Sequence, residues 1–123
     1  TRALEAAHEH FMAWAFDQIE RAGEALKTQV DERTEALDTF LDALKDRDET
    51  DTRRPQQLAE ELATAIRIPL RLSNDQAVQL HEDPGALVKP LRGVIAAGLN
   101  ALIVSRLAAT LDHVDRPSEA ACP

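Results

Sequence analysis

Four histidines, 22 acidic residues and one cysteine are the groups with which this 123-residue chain could do chemistry. Glu5-Ala-Ala-His8 has the Glu-x-x-His spacing that puts two ligands on one helical face, as in di-iron carboxylate bundles. Such a centre needs a second pair and two further Glu from other helices. Here Val78 precedes His81 and Thr110 precedes His113 at that offset, so the second pair is missing. His8-Glu9-His10 lacks the i, i+4 separation with which two imidazoles share a metal on a helix. Glu5, His8, Glu9 and His10 therefore read as solvated first-turn side chains, and no metal or other cofactor is expected.

Nucleophiles fare no better. Ser73 has Gln76 three residues on and is better used as a helix cap, Ser105 lies within an apolar helical run, and Cys122 sits beside the terminal Pro123. Gly23, Gly85, Gly93 and Gly98 fit no phosphate-binding loop. The chain reads as not an enzyme. A lone cysteine gives no disulfide framework, which is consistent with a reducing, cytoplasmic compartment.

The informative cluster is Phe11, Met12, Trp14 and Phe16, which holds three of the chain's four aromatic residues. At about 100° per residue these positions cover an arc of about 200°, wider than one buried stripe. Either several helices surround this end of the chain, or part of it faces a partner. Trp, Met and Phe are the types enriched at interface hot spots, so the four are candidate partner-binding residues.

Charge narrows the partner. Residues 1–52 carry 14 acids and six bases, and residues 53–123 carry eight of each, so the net −8 belongs to the first segment. An acidic surface repels phosphate backbones and anionic lipid, so no direct nucleic-acid contact is expected. The most apolar run, Gly93 to Ser105, has 13 uncharged residues against the roughly 20 that span a bilayer. It reads as a buried helix, with no membrane insertion.

The elements that position these residues are helices throughout. From Leu4 the apolar positions step by three or four: Ala7, Phe11, Ala15, Ile19, Ala22, Leu26, Val30, Arg33, Leu37, Phe40 or Leu41, and Leu44. The pattern contains an 11-residue repeat, about 3.67 residues per turn, which predicts a straight or slightly right-handed helix. Gly23 costs about 1 kcal/mol against Ala without breaking the phase. One helix over about 2–46, on the order of 65 Å long, is the expectation. A kink near Gly23 or Thr28 is the alternative. Arg33 falls in an inward column, where it would snorkel or pair with an acid on a neighbouring helix.

Residues 46–54 lack any apolar side chain and read as a charged loop. Pro55 suits a first helical position, and Leu58, Leu62, Ala65 and Ile66 predict a short helix ending before Pro69. Ile68 to Leu72 is an extended connector. Ser73 opens a third helix to about His81, and Asp83-Pro84 starts a last helix to about Val114. Leu87, Leu91, Val94, Ile95, Leu99, Leu102, Ile103, Leu107 and Leu111 are expected inward on it, and Pro90 is a candidate break in its first turns. Gly93, Ala96, Ala97, Gly98 and Ala101 leave room for another backbone. Residues 115–123 read as a disordered tail. Arg53, Arg54, Arg67 and Arg71 form a modest basic group, read as charge balance against the acidic helix.

The expected fold is all-α, a single-domain bundle of residues 1–123 in which the long first helix packs antiparallel to a long last helix (about 84–114), with two short helices between. Its ends then lie together, the geometry of an inserted domain. The start at Thr1 inside a helical pattern points to a piece of a larger protein. The functional expectation is a non-catalytic helical interaction or insertion domain of a larger intracellular protein, whose partner is another protein or the rest of its host. Nucleotide-driven machines such as translocases and helicases carry inserts of this kind. The competing readings are a free-standing homodimeric adaptor or regulator, and a helical-bundle enzyme or metal or ligand binder around Glu5, His8 and Glu9.

Overall fold

In the computed structural model of the protein the described residues are 2–114, with side chains described to Asp112. The tail expected at 115–123, with Cys122, and the side chain of His113 lie outside them. Four α-helices follow in order: α1 (Arg2–Lys45), α2 (Pro55–Ile66), α3 (Asn74–Glu82) and α4 (Val88–Val114), with a single 3-10 turn at Pro84–Leu87 before α4. α1 packs against α4, with the two short helices between them in the chain. α1 is continuous through Gly23 and Thr28. A Cβ built on Gly23 meets nothing within 4 Å, so the glycine makes room for no neighbour.

The described chain forms two units, residues 29–98 and residues 2–28 with 99–114. The first holds the core. α1 supplies Leu37, Leu41 and Leu44, α2 supplies Leu58, Leu62 and Ile66, α3 supplies Ala77 and Leu80, and Leu87, Leu91 and Ile95 close it, all between 0% and 5% exposed. Each buried Leu or Ile is worth roughly 1.5–3 kcal/mol relative to exposure. The aliphatic residues at i, i+3, i+4 and i+7 that predicted amphipathic helices here become one apolar cluster.

Local chemistry sets the boundaries in this unit. Pro55 takes the first position of α2, where a missing N–H costs nothing. α2 ends on Arg67, the one non-glycine residue with positive φ among those described (φ 55°, ψ 38°), whose N–H donates to the Ala63 carbonyl at 3.0 Å. Ser73 caps α3 reciprocally: its Oγ accepts from Gln76 N at 3.1 Å while Gln76 Oε1 accepts from Ser73 N at 3.0 Å. Pro90 lies within α4 rather than breaking it. The irregularity comes earlier, at the 3-10 turn, because a proline in the first turn of a helix removes an N–H that has no intrahelical partner.

The charged segment 46–54 is a knot of side-chain bonds. Asp48 accepts from Thr50 N at 2.9 Å and from Thr50 Oγ1, contacts that hold its carboxyl below the usual range. Asp51 accepts from Arg53 N at 3.1 Å and from the Arg53 guanidinium, whose Nη2 lies 2.5 Å from it, and Arg53 Nη1 reaches Glu61 of α2 at 3.0 Å. The Arg53 guanidinium, first by its hydrogen bond, lowers the Asp51 pKa to about 2, and the Arg53 pKa is raised in return. Charge balance by Arg53 is thus made with its own loop and α2, and α1 takes no part in it. Of the two alternatives for Arg33, the ion pair with a neighbouring helix is not among the contacts of the described residues. Arg33 Nη2 donates to Gln29 Oε1 at 3.0 Å, one turn back on α1, and its buried Nε has no partner among the described residues. The interhelical ion pair forms instead between Asp38 of α1 and Arg92 of α4, at 2.7 Å.

The unit formed by residues 2–28 and 99–114 is a two-helix arm. Among its described side chains Leu99 alone is buried, at 5% exposed. Phe11, Ala15, Ala22 and Leu26 of α1, and Ile103, Leu107 and Leu111 of α4, are only half-buried. Several residues expected inward are not. Leu4 is 71% exposed, Ile19 49%, Val94 45% and Leu102 47%, and Ala7 is exposed as well. Periodicity identifies the face of a helix that suits burial, while a single partner helix can cover only a narrow row of it.

Candidate protein-docking surface

The sequence cluster divides across the arm. Phe11 and Trp14 are half-buried and stack on each other, with ring centroids 6.3 Å apart and planes tilted by 34°, within the range of favourable aromatic pairs. Met12 is 38% exposed and Phe16 63%. With Ile19 they follow i, i+4 and i+7, so Met12, Phe16 and Ile19 share one face of α1 beside the half-buried row of Phe11, Ala15 and Ala22. The sequence reading placed Ile19 in the inward row and so missed its membership of this face. The spacing from Met12 and Phe16 was the signal that could have found it.

Gly23 continues the row at the next turn, so from Met12 to Gly23 it carries no charge. The charged residues of this stretch lie elsewhere around α1, and among them Arg21 pairs with Asp17 at 3.0 Å. The arm therefore offers an apolar strip on an otherwise acidic helix. Its seam is loosely filled. A groove of about 230 Å³ runs along it, lined by Gln18, Ala22 and Ala25 of α1 and by Ile103, Arg106 and Leu107 of α4. Alanines at 22 and 25 leave this space because they are too small to reach across to α4.

α4 corrects the expectation of a buried helix. Pro84–Asp112 contains an 18-residue window of mean hydropathy 1.8, and only 11% of that window is buried. By length and composition alone it is apolar enough to cross a membrane. Leu91, Ile95 and Leu99 are covered, with Ile103 and Leu107 half-covered. Gly93, Ala97, Ala101, Ser105 and Ala109, which follow one another by four residues on the other side of the helix, are exposed. Val104 is 53% exposed. A Cβ at Gly93 or Gly98 meets nothing within 4 Å, so the room expected there for another backbone is not used within the described chain.

The residues first weighed for chemistry are not brought together. Glu5, His8, Glu9 and His10 are all exposed on the first turns of α1, and His81 is half-buried on α3. Among the described residues no three His, Cys, Asp or Glu side chains are grouped so as to hold a metal. Ser73 is occupied as a cap, and Ser105 is exposed on α4. In the unit of residues 29–98 a second concavity of about 640 Å³ lies between α1 and α2, floored by Ala36, Phe40 and Ala65, with Glu32, Glu35 and Arg67 around it. It holds opposite charges, one aromatic ring and the Thr39 hydroxyl, with no His, Cys or Lys in its lining. Comparison with protein-family models, with curated proteins and with solved structures returns no match to the chain.

Proposed function

We propose that this chain is a non-catalytic helical interaction module, in which residues 29–98 provide the stable core and the two-helix arm docks another protein. The observation that carries this reading is the exposure of Met12, Phe16 and Ile19 as one uncharged row on an acidic helix. Large side chains left in water at 38–63% exposure gain most when a partner removes them from it, at about 25 cal/mol per Å² of apolar surface. Aromatic and Met residues are also those that anchor interfaces.

A bilayer-crossing α4 is the reading its hydropathy favours, and the arm argues against it. α1 carries Asp17, Glu20, Arg21 and Glu24 on the stretch whose Arg21, Ala22 and Ala25 line a groove with Ile103 and Leu107. Crossing a bilayer with α1 in place would draw those charges into hydrocarbon at roughly 2.5–3.5 kcal/mol each by insertion scales. A protein partner needs no such transfer.

The test is site-specific photo-crosslinking in the cell of origin. A photoreactive amino acid at position 16 is expected to yield adducts with a defined polypeptide, while the same group at Gln57, exposed on α2, yields none. Equal or absent adducts at both positions overturn the reading.

A further inference from the structure

We propose that the concavity between α1 and α2 binds a small zwitterion of the class of an apolar α-amino acid, its ammonium at Glu32 and Glu35 and its carboxylate at Arg67. The site lies within residues 29–98, so it goes beyond the interaction-module reading and does not rest on the arm. At about 640 Å³ the space falls within the roughly 300–1,000 Å³ of small-molecule sites, which are mostly apolar with a few charged or polar groups at set places. Ala36 and Phe40 of α1 and Ala65 of α2 supply the apolar floor. Phe40 is only half-buried, so part of its surface is left for a ligand to cover. The walls are preformed, because Leu37 and Leu41 of α1 and Leu62 and Ile66 of α2 are 0% exposed and fix the two helices in the core.

Glu32, Glu35 and Arg67 line this one space, yet their side chains make no ion pair or hydrogen bond, with one another or with any other described residue. Glu32 and Glu35 stand three residues apart on α1, the spacing that makes helical side chains neighbours, so two carboxylates repel each other there with no base between them. A ligand ammonium relieves that repulsion. Arg67 presents a planar, forked guanidinium, the geometry that holds a carboxylate by two hydrogen bonds. Its backbone lies in the left-handed region, at φ 55°, where glycine is the residue that costs least. Glycine would therefore serve the end of α2 at least as well, and the guanidinium is what arginine adds. A ligand of a single charge would be drawn to one wall and repelled by the other, whereas a zwitterion meets both.

Titration of the isotope-labelled full chain with free phenylalanine, followed by NMR, tests the proposal. A ligand of about a dozen non-hydrogen atoms in an open site is expected to bind with a Kd on the order of 1 mM. The amides of Ala36, Phe40 and Ala65 should shift and saturate, while those of residues 5–20 stay in place. Phenethylamine, which lacks the carboxylate, and phenylpropionate, which lacks the ammonium, should each bind about threefold to fivefold more weakly, the scale of one exposed charge pair. Arg67→Gly should fold with an undiminished Tm and bind phenylalanine no better than phenethylamine. Glu32→Gln combined with Glu35→Gln should bind phenylalanine no better than phenylpropionate. Ala65→Leu keeps a good helix former at an exposed position, fills the space, and should remove binding. No saturable shift in the wild type up to roughly 10 mM overturns the proposal, and so do shifts confined to the arm. Equal binding of the three ligands, or binding indifferent to every variant, overturns it as well. Crosslinking at position 16 reports on the arm alone, so failure here leaves the interaction module standing, and failure there leaves this site standing.

Discussion

Truncating Leu62 to Ala should unfold this protein at a far lower temperature than truncating Phe16, although Phe is the larger side chain. Leu62 is 0% exposed, flanked on α2 by Leu58 and Ile66 at 0% and sharing the core with Leu37, Leu41 and Leu80, so no solvent can enter the space its removal leaves. Leu→Ala substitutions at such sites cost the lost transfer energy plus a cavity term, together about 3–4 kcal/mol. A small domain has a total stability of only about 5–15 kcal/mol, so roughly a fifth to four-fifths of it would be lost. At about 4–8 °C per kcal/mol, Tm should fall on the order of 15–25 °C. Phe16 is 63% exposed and leaves no cavity, so Phe16→Ala should cost under about 1 kcal/mol and shift Tm by no more than a few degrees. Thermal melting followed by far-UV circular dichroism reads both. Equal losses for the two variants would refute the reasoning, because Phe16 would then be core.

Other consequences follow from single positions. Gly23→Ala should stabilise the monomer by about 1 kcal/mol, since the new Cβ meets nothing within 4 Å and Ala is the better helix former, and urea titration would show the midpoint rise. Ser73→Ala removes the reciprocal cap of α3 and should cost about 1 kcal/mol in the same titration, with Ser73→Asp retaining most of it. Asp51 has its pKa lowered from 3.8 to about 2 in the fold, so its contribution is present above about pH 4 and lost as pH falls toward 2. The Tm difference between wild type and Asp51→Asn should therefore be positive near neutrality and vanish by about pH 2 in a melting series across pH.

What was legible in the amino-acid order was whatever depended on neighbours in sequence. The Ser73 and Gln76 box is three residues long, Pro55 marks its own helix start, and the unbroken three-four spacing through Gly23 is enough to specify one continuous α1. The aromatic cluster was visible as a cluster. The division of its members was not, because the half-burial of Phe11 and Trp14 and the exposure of Met12 and Phe16 depend on what packs against each position and not on residue type. α4 was misread for the same reason: an apolar run predicts that burial is favourable, and coverage depends on how many helices arrive. The exposed series Gly93, Ala97, Ala101, Ser105 and Ala109 was the clue, since so small a set of side chains fills little core volume. Arg33 was read as snorkelling or as pairing with an acid on a neighbouring helix, and Gln29 one turn away supplies a neutral acceptor at 3.0 Å in place of that acid.

The central claim is that residues 29–98 carry the stability and that the arm awaits a partner. Native-state hydrogen exchange, read segment by segment on the dilute chain, tests it most directly. The amides of Leu37–Leu44, Leu58–Ile66 and Leu91–Ile95 should exchange only through global unfolding. Those of residues 5–20 and 101–111 should exchange at least about a hundredfold faster, a gap of about 2.7 kcal/mol. Uniform protection across α1 and α4 in the dilute chain would contradict the account.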